Sequence, residues 1–400
     1  MTARRLLEPA DLGPVHVRNR IIRAGTSESM ALGDGAVSDA LIALYATLAR
    51  NLVGTIFTGH LFCHERGRYA RNQTGIARDA MIPGLRRLVD AVHAEGGAIL
   101  AQVAHAGSQS RAAQIAPLAP SAVPNALTGR PVPAAADAEI EEAIDAFAAG
   151  ARRAIEAGFD GVHIHGANGY LISEFLSPLA NRRDDTWGGD AERRSRFAVE
   201  VVRAVRAQVP RDKALTMKLG VVDAPAGGLT LDAAVSVARA VAAEGLDALE
   251  ISCGVMQAAS DSARQYVAVD SRRAAEDLLL HRLLSAPAGE AYFVPWMRRV
   301  REDVGVAMVA VGGMRRTETM ERLVASGDAD FVAMARPFIR EPDIARQIVE
   351  GRTGLVDCTS CNLCLTHEGH HSLRCWRVPR RRLAQHAAYR FSGGLRRAVR

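Results

Sequence analysis

The feature that most limits what this chain can fold into is an alternation of short apolar runs with longer helical patterns, repeated eight times. The apolar runs predict strands at Arg20–Ala24, Val53–Thr58, Ala98–Val103, Gly161–His165, Ala214–Leu219, Ala248–Ser252, Val306–Val311 and Phe331–Met334. The patterns between them predict helices at Ser38–Arg50, Pro83–Glu95, Ala138–Ala157, Arg193–Gln208, Leu231–Glu244, Ala291–Asp303, Thr317–Ser326 and Asp343–Glu350. Near-continuous apolar strands are typical of parallel sheets buried on both faces. We therefore predict an α/β fold, a TIM (β/α)8 barrel over residues 1–352, followed by a cysteine-containing extension over residues 353–400.

Polar and glycine residues follow the predicted strands at the ends where a barrel of this type carries its chemistry. They are Thr26, Gln102, His105, His165, Asn168, Lys218, Gly312, Gly313, Ala335 and Arg336. The two glycines and the Ala335-Arg336 pair each lie between a strand and a helix. Exposed backbone N–H groups at such positions can hold a phosphate, and barrels often place that site after strands seven and eight. A phosphorylated cofactor is indicated.

The fourth predicted strand runs into a glycine-rich loop that carries three polar side chains. His165 and Asn168 can hold a carbonyl oxygen between them, and Tyr170 can deliver a proton beside it. This arrangement predicts a site that polarises a small-molecule substrate.

Charge and hydropathy exclude several classes of protein. The net charge is +6, but arginine is concentrated only after Arg374, so no face is an obvious nucleic-acid site. No run approaches the ~20 apolar residues of a membrane span, and residues 1–20 lack the apolar segment of a signal peptide. We expect a cytoplasmic protein without a nucleic-acid or membrane partner.

The run after the fourth strand closely resembles the signature of the Old Yellow Enzyme, or NADH:flavin oxidoreductase, family. The matching residues are His165, Asn168, Tyr170, Phe175, Leu176, Ser177, Pro178, Asn181, Arg183, Asp185, Trp187, Gly188, Gly189 and Arg194. Further matches are Asn19, Arg20, Gln102, His105, Gly107, Ala119, Pro120, Ser121, Gly312, Gly313, Met334, Ala335, Arg336 and Pro337. The resemblance covers about residues 5 to 350. It implies an FMN enzyme reduced by NAD(P)H.

The resemblance also implies a role for each matching position. Thr26 would contact the flavin carbonyl beside the reactive nitrogen, Gln102 the pyrimidine edge, and Lys218 the N1 and O2 edge, where positive charge stabilises the reduced form. The remaining cofactor-binding positions implied are Ala24, Gly59, Gly312, Gly313, Ala335 and Arg336. His165 and Asn168 would bind the substrate oxygen of an activated alkene, which takes a hydride from flavin N5 while Tyr170 protonates the other carbon.

Glu28 is unusual for the family, because some relatives have cysteine or an aromatic residue in this segment. A carboxylate at the pocket mouth would select a cationic substrate, and the enzyme would then be an FMN-dependent amine dehydrogenase or N-demethylase. The alternative is that Glu28 is a solvated or salt-bridged loop residue.

Four of the six cysteines are close together near the end of the chain, over residues 358–375: Cys358, Cys361, Cys364 and Cys375. Four soft ligands suit a [4Fe-4S] cluster, and the spacing resembles that of the 2,4-dienoyl-CoA reductase and trimethylamine dehydrogenase branch of the family. A zinc ion, with His367, His370 or His371 as a further ligand, and a metal-free remnant are the alternatives. If the cysteines were the functional site, the chain would be a non-catalytic metal-bearing scaffold or electron-transfer protein. A redox partner and a homo-oligomer, with the arginine-rich tail in a subunit contact, are also expected.

Overall fold

All eight predicted strands form in the computed structural model, which describes residues 4–111, 115–125, 129–255, 290–361, 363–367 and 371–392. The strands are β1 Ala10–Leu12, β2 Val15–Val17, β3 Ile21–Arg23, β4 Thr55–Phe57, β5 Leu61–Phe62, β6 Ala98–Ala104, β7 Gly161–Gly166, β8 Ala214–Gly220, β9 Ala248–Ser252, β10 Ala307–Ala310 and β11 Phe331–Met334. The three strands that were not predicted, β1, β2 and β5, are only two or three residues long, too short for a periodic signal.

The sheet closes into a barrel, as predicted. Its strands are hydrogen-bonded in the order β4-β3-β11-β10-β9-β8-β7-β6, and β4 pairs again with β6. Every pairing within this sheet is parallel. All eight carboxyl ends therefore lie at one rim, where the polar residues identified from the sequence come together.

The helices surround the barrel. They are α1 Asp39–Arg50, α2 Ile82–His93, α3 Asp137–Glu156, α4 Leu171–Leu176, α5 Ala191–Gln208, α6 Leu231–Ala243, α7 Val294–Arg301, α8 Thr317–Ala325, α9 Arg336–Arg340, α10 Ile344–Val349, α11 Leu363–Thr366 and α12 Arg380–Phe391. Short 3-10 turns occupy Arg5–Leu7, Glu65–Gly67, Asp79–Met81 and Gly107–Gln109. The eight predicted helices agree with the observed ones to within three residues at each end. Ser38 and Thr230 cap their helices by accepting hydrogen bonds from Leu41 and Ala233.

Two apolar cores hold the barrel together. The larger fills the space between the sheet and the surrounding helices. The smaller lies inside the barrel, where Phe57, Leu100 and Phe331 pack with side chains of the β1–β2 hairpin. The hairpin packs against the interior core and leaves the opposite rim for the site.

The C-terminal extension lies against the barrel. The backbone N–H of Leu373 donates to the carbonyl oxygen of Glu28 at 2.8 Å. His367 and His386 are buried and contact each other, Nε2 to Nδ1, at 2.8 Å. Among the described residues, no helix combines the length and the apolar character needed to cross a membrane. His370 and the end of the arginine-rich tail lie outside the described residues.

Candidate active site

A cavity of about 330 Å³ opens at the carboxyl-terminal rim of the barrel. It is bordered by most of the site residues expected from the sequence: Ala24, Thr26, Gln102, His165, Asn168, Tyr170, Lys218, Gly312, Gly313, Ala335 and Arg336. The volume falls in the range typical of cofactor and ligand sites, ~300–1,000 Å³. Residues far apart in the chain thus share one concave site.

Gln102 provides the clearest sign that the inner wall of the cavity receives a polar ligand. Its side chain is buried and borders the cavity, yet its Nε2 has no hydrogen-bond partner among the described residues. Gly25 lies against this amide, and a Cβ at Gly25 would come within 2.4 Å of Gln102 Nε2. A buried N–H without an acceptor is costly, so a ligand carbonyl or ring nitrogen at this point fits the site.

The opposite end of the cavity has the features expected of a phosphate site. Gly312 and Gly313 both have left-handed backbone conformations, with φ of 93° and 70°, and border the cavity beside the guanidinium-bearing Arg336. A Cβ at Gly312 would approach Tyr292 and Phe293 to within 2.7 Å, so this turn requires glycine. The residues present therefore fit the two ends of FMN, its ring and its phosphate.

His165 is held as a neutral imidazole that can donate from Nε2. Burial, followed by the positive charge of Lys218, holds its pKa well below the usual value. The backbone N–H of Ala167 donates to His165 Nδ1 at 3.3 Å, so Nδ1 is an acceptor and the ring hydrogen is on Nε2. His165 can therefore donate to a substrate oxygen without carrying charge.

The loop that carries Asn168 is fixed by hydrogen bonds to neighbouring segments. Asn168 has a left-handed backbone, with φ of 61°, and its N–H donates to the carbonyl oxygen of Cys253 at 2.9 Å. Gln109 Nε2 donates to the carbonyl oxygens of Asn168 and Gly169. The next residue but one, Tyr170, is thereby placed beside His165, with ring centroids 4.7 Å apart.

Lys218 is not an isolated cation in the cavity wall. It forms a buried ion pair with Glu250 on the neighbouring strand, and Glu250 Oε2 is 3.1 Å from His163 Nε2. Glu250 and His163 are fully buried inside the barrel. Burial alone would raise the pKa of Glu250, but Lys218 and the imidazole of His163 outweigh it and lower that pKa to about 2. The positive charge of Lys218 is thus partly neutralised by the carboxylate of Glu250, which is fully buried inside the barrel.

Glu28 does not lie at the pocket mouth, which corrects the expectation that it selects a cationic substrate. Its carboxylate is buried and pairs with Arg23 at 2.6 Å. The hydroxyl of Tyr45 also donates to it, at 2.5 Å. The alternative of a salt-bridged residue holds, because every described contact of this carboxylate is internal.

Gly59 is likewise wrong as a cofactor-binding position. Its backbone N–H donates to the Glu28 carboxylate at 3.1 Å and to the Tyr45 hydroxyl at 2.8 Å. A donor engaged in this way is not available to a ligand, and Gly59 is not among the residues that border the cavity.

The four C-terminal cysteines border a second cavity, of about 260 Å³, together with Arg336. Burial raises the pKa of the Cys364 thiol to about 12 and also raises those of Cys358 and Cys361. Across the described ranges, no group of three or more histidine, cysteine or acidic side chains is placed to hold a metal ion. The structure therefore does not show the metal centre expected from the cysteine spacing.

Several residues of the site were missed by the sequence analysis. His60 and Tyr69 border the cavity near Tyr170, and Glu250 and His163 lie beneath Lys218. His60 follows the second barrel strand, so the rule that identified Thr26 and Gln102 applies to it equally. A charged residue in the middle of the buried strand β9 was the available signal for Glu250.

Comparisons with known proteins agree with this geometry. The sequence model of the NADH:flavin oxidoreductase / NADH oxidase family matches residues 5–354. The chain is 32% identical over 374 residues to the 4,4'-dithiodibutanoate disulfide reductase of Rhodococcus erythropolis, covering 90% of this chain and 92% of that protein. It is also 32% identical over 376 residues to an NADH oxidase of Thermoanaerobacter brockii, covering 92% of this chain but 54% of the relative.

Among solved structures, a 2-naphthoyl-CoA reductase superposes with a TM-score of 0.83 at 26% identity. The superposition covers 96% of this chain and 58% of the reductase. The chain therefore spans between half and two thirds of the length of these two larger proteins, and most of the length of the disulfide reductase.

Proposed function

Because this chain belongs to the NADH:flavin oxidoreductase / NADH oxidase family, we propose that it is an FMN-dependent enzyme that reduces an activated C=C bond with electrons from NAD(P)H. When bound, FMN supplies the hydride chemistry, accepting from the nicotinamide and giving to the alkene. The observation that carries the proposal is that one cavity at the barrel rim is bordered both by residues that fit FMN, such as Gln102 and Arg336, and by the neighbouring rings of His165 and Tyr170.

The substrate carbonyl is the group that His165 and Asn168 would hold. The Nε2–H of His165 and the side-chain amide of Asn168 both border the cavity and can donate to one oxygen. Negative charge grows on that oxygen as the β-carbon is reduced, so the two hydrogen bonds strengthen in the transition state. A neutral donor serves this purpose without attracting anionic molecules in the ground state.

Tyr170 would supply the proton. Its ring centroid is 4.7 Å from that of His165, so a carbonyl group held by His165 would lie beside the phenol. A phenol can act as a general acid, giving its proton to a carbon that is gaining negative charge.

Anaerobic half-reactions test this proposal directly. NADPH should bleach the yellow protein, and cyclohexenone should restore its colour. Tyr170→Phe should keep its flavin and its rate of bleaching but slow the return of colour by roughly a hundredfold or more. Tyr389→Phe, in helix α12 away from the cavity, is the matched control. A colourless protein that cannot be reconstituted with FMN would overturn the proposal.

The cysteine cavity suggests a second redox group. We propose that Cys358, Cys361, Cys364 and Cys375 together hold a [4Fe-4S] cluster, since four thiols around one cavity suit a multi-iron group better than a single ion. Iron and acid-labile sulfide should be found in anaerobically purified protein and lost in Cys364→Ser, while Cys63→Ser, a buried cysteine elsewhere, retains them. Iron-free protein that still binds FMN would contradict this second proposal alone.

The non-catalytic scaffold loses its support, and the amine dehydrogenase loses the carboxylate that favoured it. The non-catalytic scaffold is contradicted by the family, whose members are oxidoreductases. The amine dehydrogenase rested on an exposed carboxylate at the pocket mouth, and Glu28 is buried against Arg23 instead.

A further inference from the structure

His60 lies at the carboxyl end of the second barrel strand and faces the hydroxyl of Tyr170. Its Nε2 is 3.5 Å from Tyr170 Oη, the outer limit of a hydrogen bond, and the two rings meet edge to face. Catalytic hydrogen bonds are often long without substrate and shorten in the complex. Which of the two atoms donates decides where the hydrogen of the phenol points.

Gln73 fixes the answer, because its own orientation is determined by two backbone groups. The N–H of Tyr69 can only donate, and it lies 2.6 Å from Gln73 Oε1. The carbonyl oxygen of His60 can only accept, and it lies 2.8 Å from Gln73 Nε2. A flipped amide would set its NH2 group against the N–H of Tyr69 and its oxygen against the carbonyl oxygen of His60, so the observed orientation is fixed.

The second hydrogen of the same amide nitrogen determines the tautomer of His60. Gln73 Nε2 is 2.6 Å from His60 Nδ1, so Nδ1 must be the acceptor in this contact. The neutral imidazole then carries its hydrogen on Nε2, the atom that faces Tyr170. Both Gln73 and His60 are buried, so water does not readily replace these hydrogen bonds.

We propose that His60 is a positioning residue for Tyr170: its Nε2–H donates to the phenol oxygen, which leaves the phenol's own hydrogen to be directed at the substrate. The proposal rests on the proposed role of Tyr170 as proton donor. When the proton moves, the O–H bond of Tyr170 breaks, its electron pair stays on oxygen, and a C–H bond forms on the substrate. The resulting phenolate then accepts a charge-assisted hydrogen bond from His60 until water returns the proton.

The electrostatic surroundings of the phenol are made up of several groups besides His60. Tyr69 and His165 pack against the phenol ring, and Arg111 lies over the ring of Tyr69. The other titratable and charged groups that border the same cavity are Lys218, Tyr292, Arg315 and Arg336. His165 is neutral, since burial holds its pKa well below the usual value. His60 Nε2 lies 3.5 Å from the phenol oxygen, within reach of a hydrogen bond.

The proposal is tested by His60→Leu, His60→Gln and the matched surface control His16→Leu, whose side chain is 72% exposed. His60→Leu should affect flavin reduction by NADPH less than reoxidation, because hydride transfer from the nicotinamide takes no proton from Tyr170. It should slow reoxidation by cyclohexenone by about tenfold to a hundredfold, the value of one hydrogen bond to a charged group. The alkaline limit of that reaction should move to higher pH, because the phenolate has lost a donor. His60→Gln keeps an N–H at similar reach and should restore most of the rate.

A double-mutant cycle separates this role from a structural one. In a Tyr170→Phe background, His60→Leu should have no further effect on reoxidation. An equal loss in both backgrounds, or an unchanged alkaline limit in His60→Leu, would overturn the proposal. If His60→Leu fails to fold, Gln73→Met should give the same shift in smaller measure, because the ring is no longer held in one tautomer.

A last measurement keeps this inference separate from the proposed function. The tyrosinate absorption that is lost in Tyr170→Phe can be titrated without any substrate. It should appear at higher pH in His60→Leu than in the unmodified protein, even if no alkene is ever reduced. Identical titrations would refute the contact, whereas a failure of cyclohexenone to reoxidise the unmodified enzyme would refute only the proposed function.

Discussion

Lys218 and Glu250 are register partners on adjacent strands, β8 and β9, and form an ion pair inside the barrel immediately below the cavity. Glu250 is fully buried and Lys218 nearly so. Two charges taken out of water stabilise a fold only while both are present. The pair therefore fixes the cation at the cavity wall. Either charge would destabilise the fold if its partner were removed.

Lys218→Met should destabilise the protein by about 3–5 kcal/mol, because it leaves the Glu250 carboxylate buried without its cation. The low pKa of Glu250 means that the pair stabilises the fold above about pH 4.3, the ordinary value of a glutamate, and less as the pH falls toward 2. Urea unfolding should thus show a large loss at neutral pH and a smaller one in acid.

The control for this prediction is Lys213→Met, the same substitution at a half-buried lysine that precedes strand β8. It should change the free energy of unfolding by less than about 0.5 kcal/mol. Equal losses in the two variants would show that the ion pair with Glu250 is not what makes Lys218 important.

Much of this fold was predictable because its signals are local. Each barrel strand is a short apolar run, and most of the following helices carry a cap or a terminal glycine; Gly96, Gly158, Gly245 and Gly327 all have the left-handed φ that this position needs. The family signature then identified residues that border the cavity. Both kinds of information lie within a few consecutive residues.

What could not be predicted depends on contacts between distant segments. The sequence around Glu28 is a loop, and nothing in it shows that Arg23 and Tyr45 turn toward the same carboxylate from a strand and a helix. Gly59 was misplaced for the same reason, since its N–H faces that buried group. The orientation of Gln73, which sets the tautomer of His60, is likewise a product of tertiary structure.

Glu28→Ala should destabilise the protein by about 3–5 kcal/mol without changing its substrate preference, because it removes one partner of a buried ion pair behind the cavity. Glu95→Ala, which breaks the exposed pair with Arg50, is the control and should leave the urea midpoint nearly unchanged. Urea unfolding measures the loss of stability in both variants. The ratio of enone reduction to N-methylamine oxidation measures the substrate preference of Glu28→Ala, and a tenfold change in that ratio would return Glu28 to the substrate site.

Gly25→Ala should weaken FMN binding by roughly tenfold, the value of about one hydrogen bond, while the fold remains intact. The new methyl group would lie within 2.6 Å of three atoms of the Gln102 amide and displace it from the cavity wall. Gly33→Ala is the matched control, since its Cβ would approach only the Arg71 guanidinium, at 3.8 Å. Fluorescence titration of apoprotein with FMN gives both dissociation constants, and equal values would show that Gln102 does not contact the flavin.

Glu174→Gln should make stability less dependent on pH. Burial raises the pKa of Glu174 to about 8, although the backbone N–H and hydroxyl of Ser108 donate to it. A glutamate in the unfolded chain has a pKa of about 4.3, so the stabilisation is complete below that pH and is lost as the pH rises toward 8. Over this window the free energy of unfolding of the unmodified protein should fall relative to Glu174→Gln by up to about 1.4 kcal/mol per pH unit.

The glutamine keeps a carbonyl acceptor for Ser108 and has no proton to lose. Glu141→Gln, at an exposed position of helix α3, should follow the unmodified protein at every pH. Parallel curves for all three proteins would mean that Glu174 is ionised in the native state and that its carboxylate is solvated.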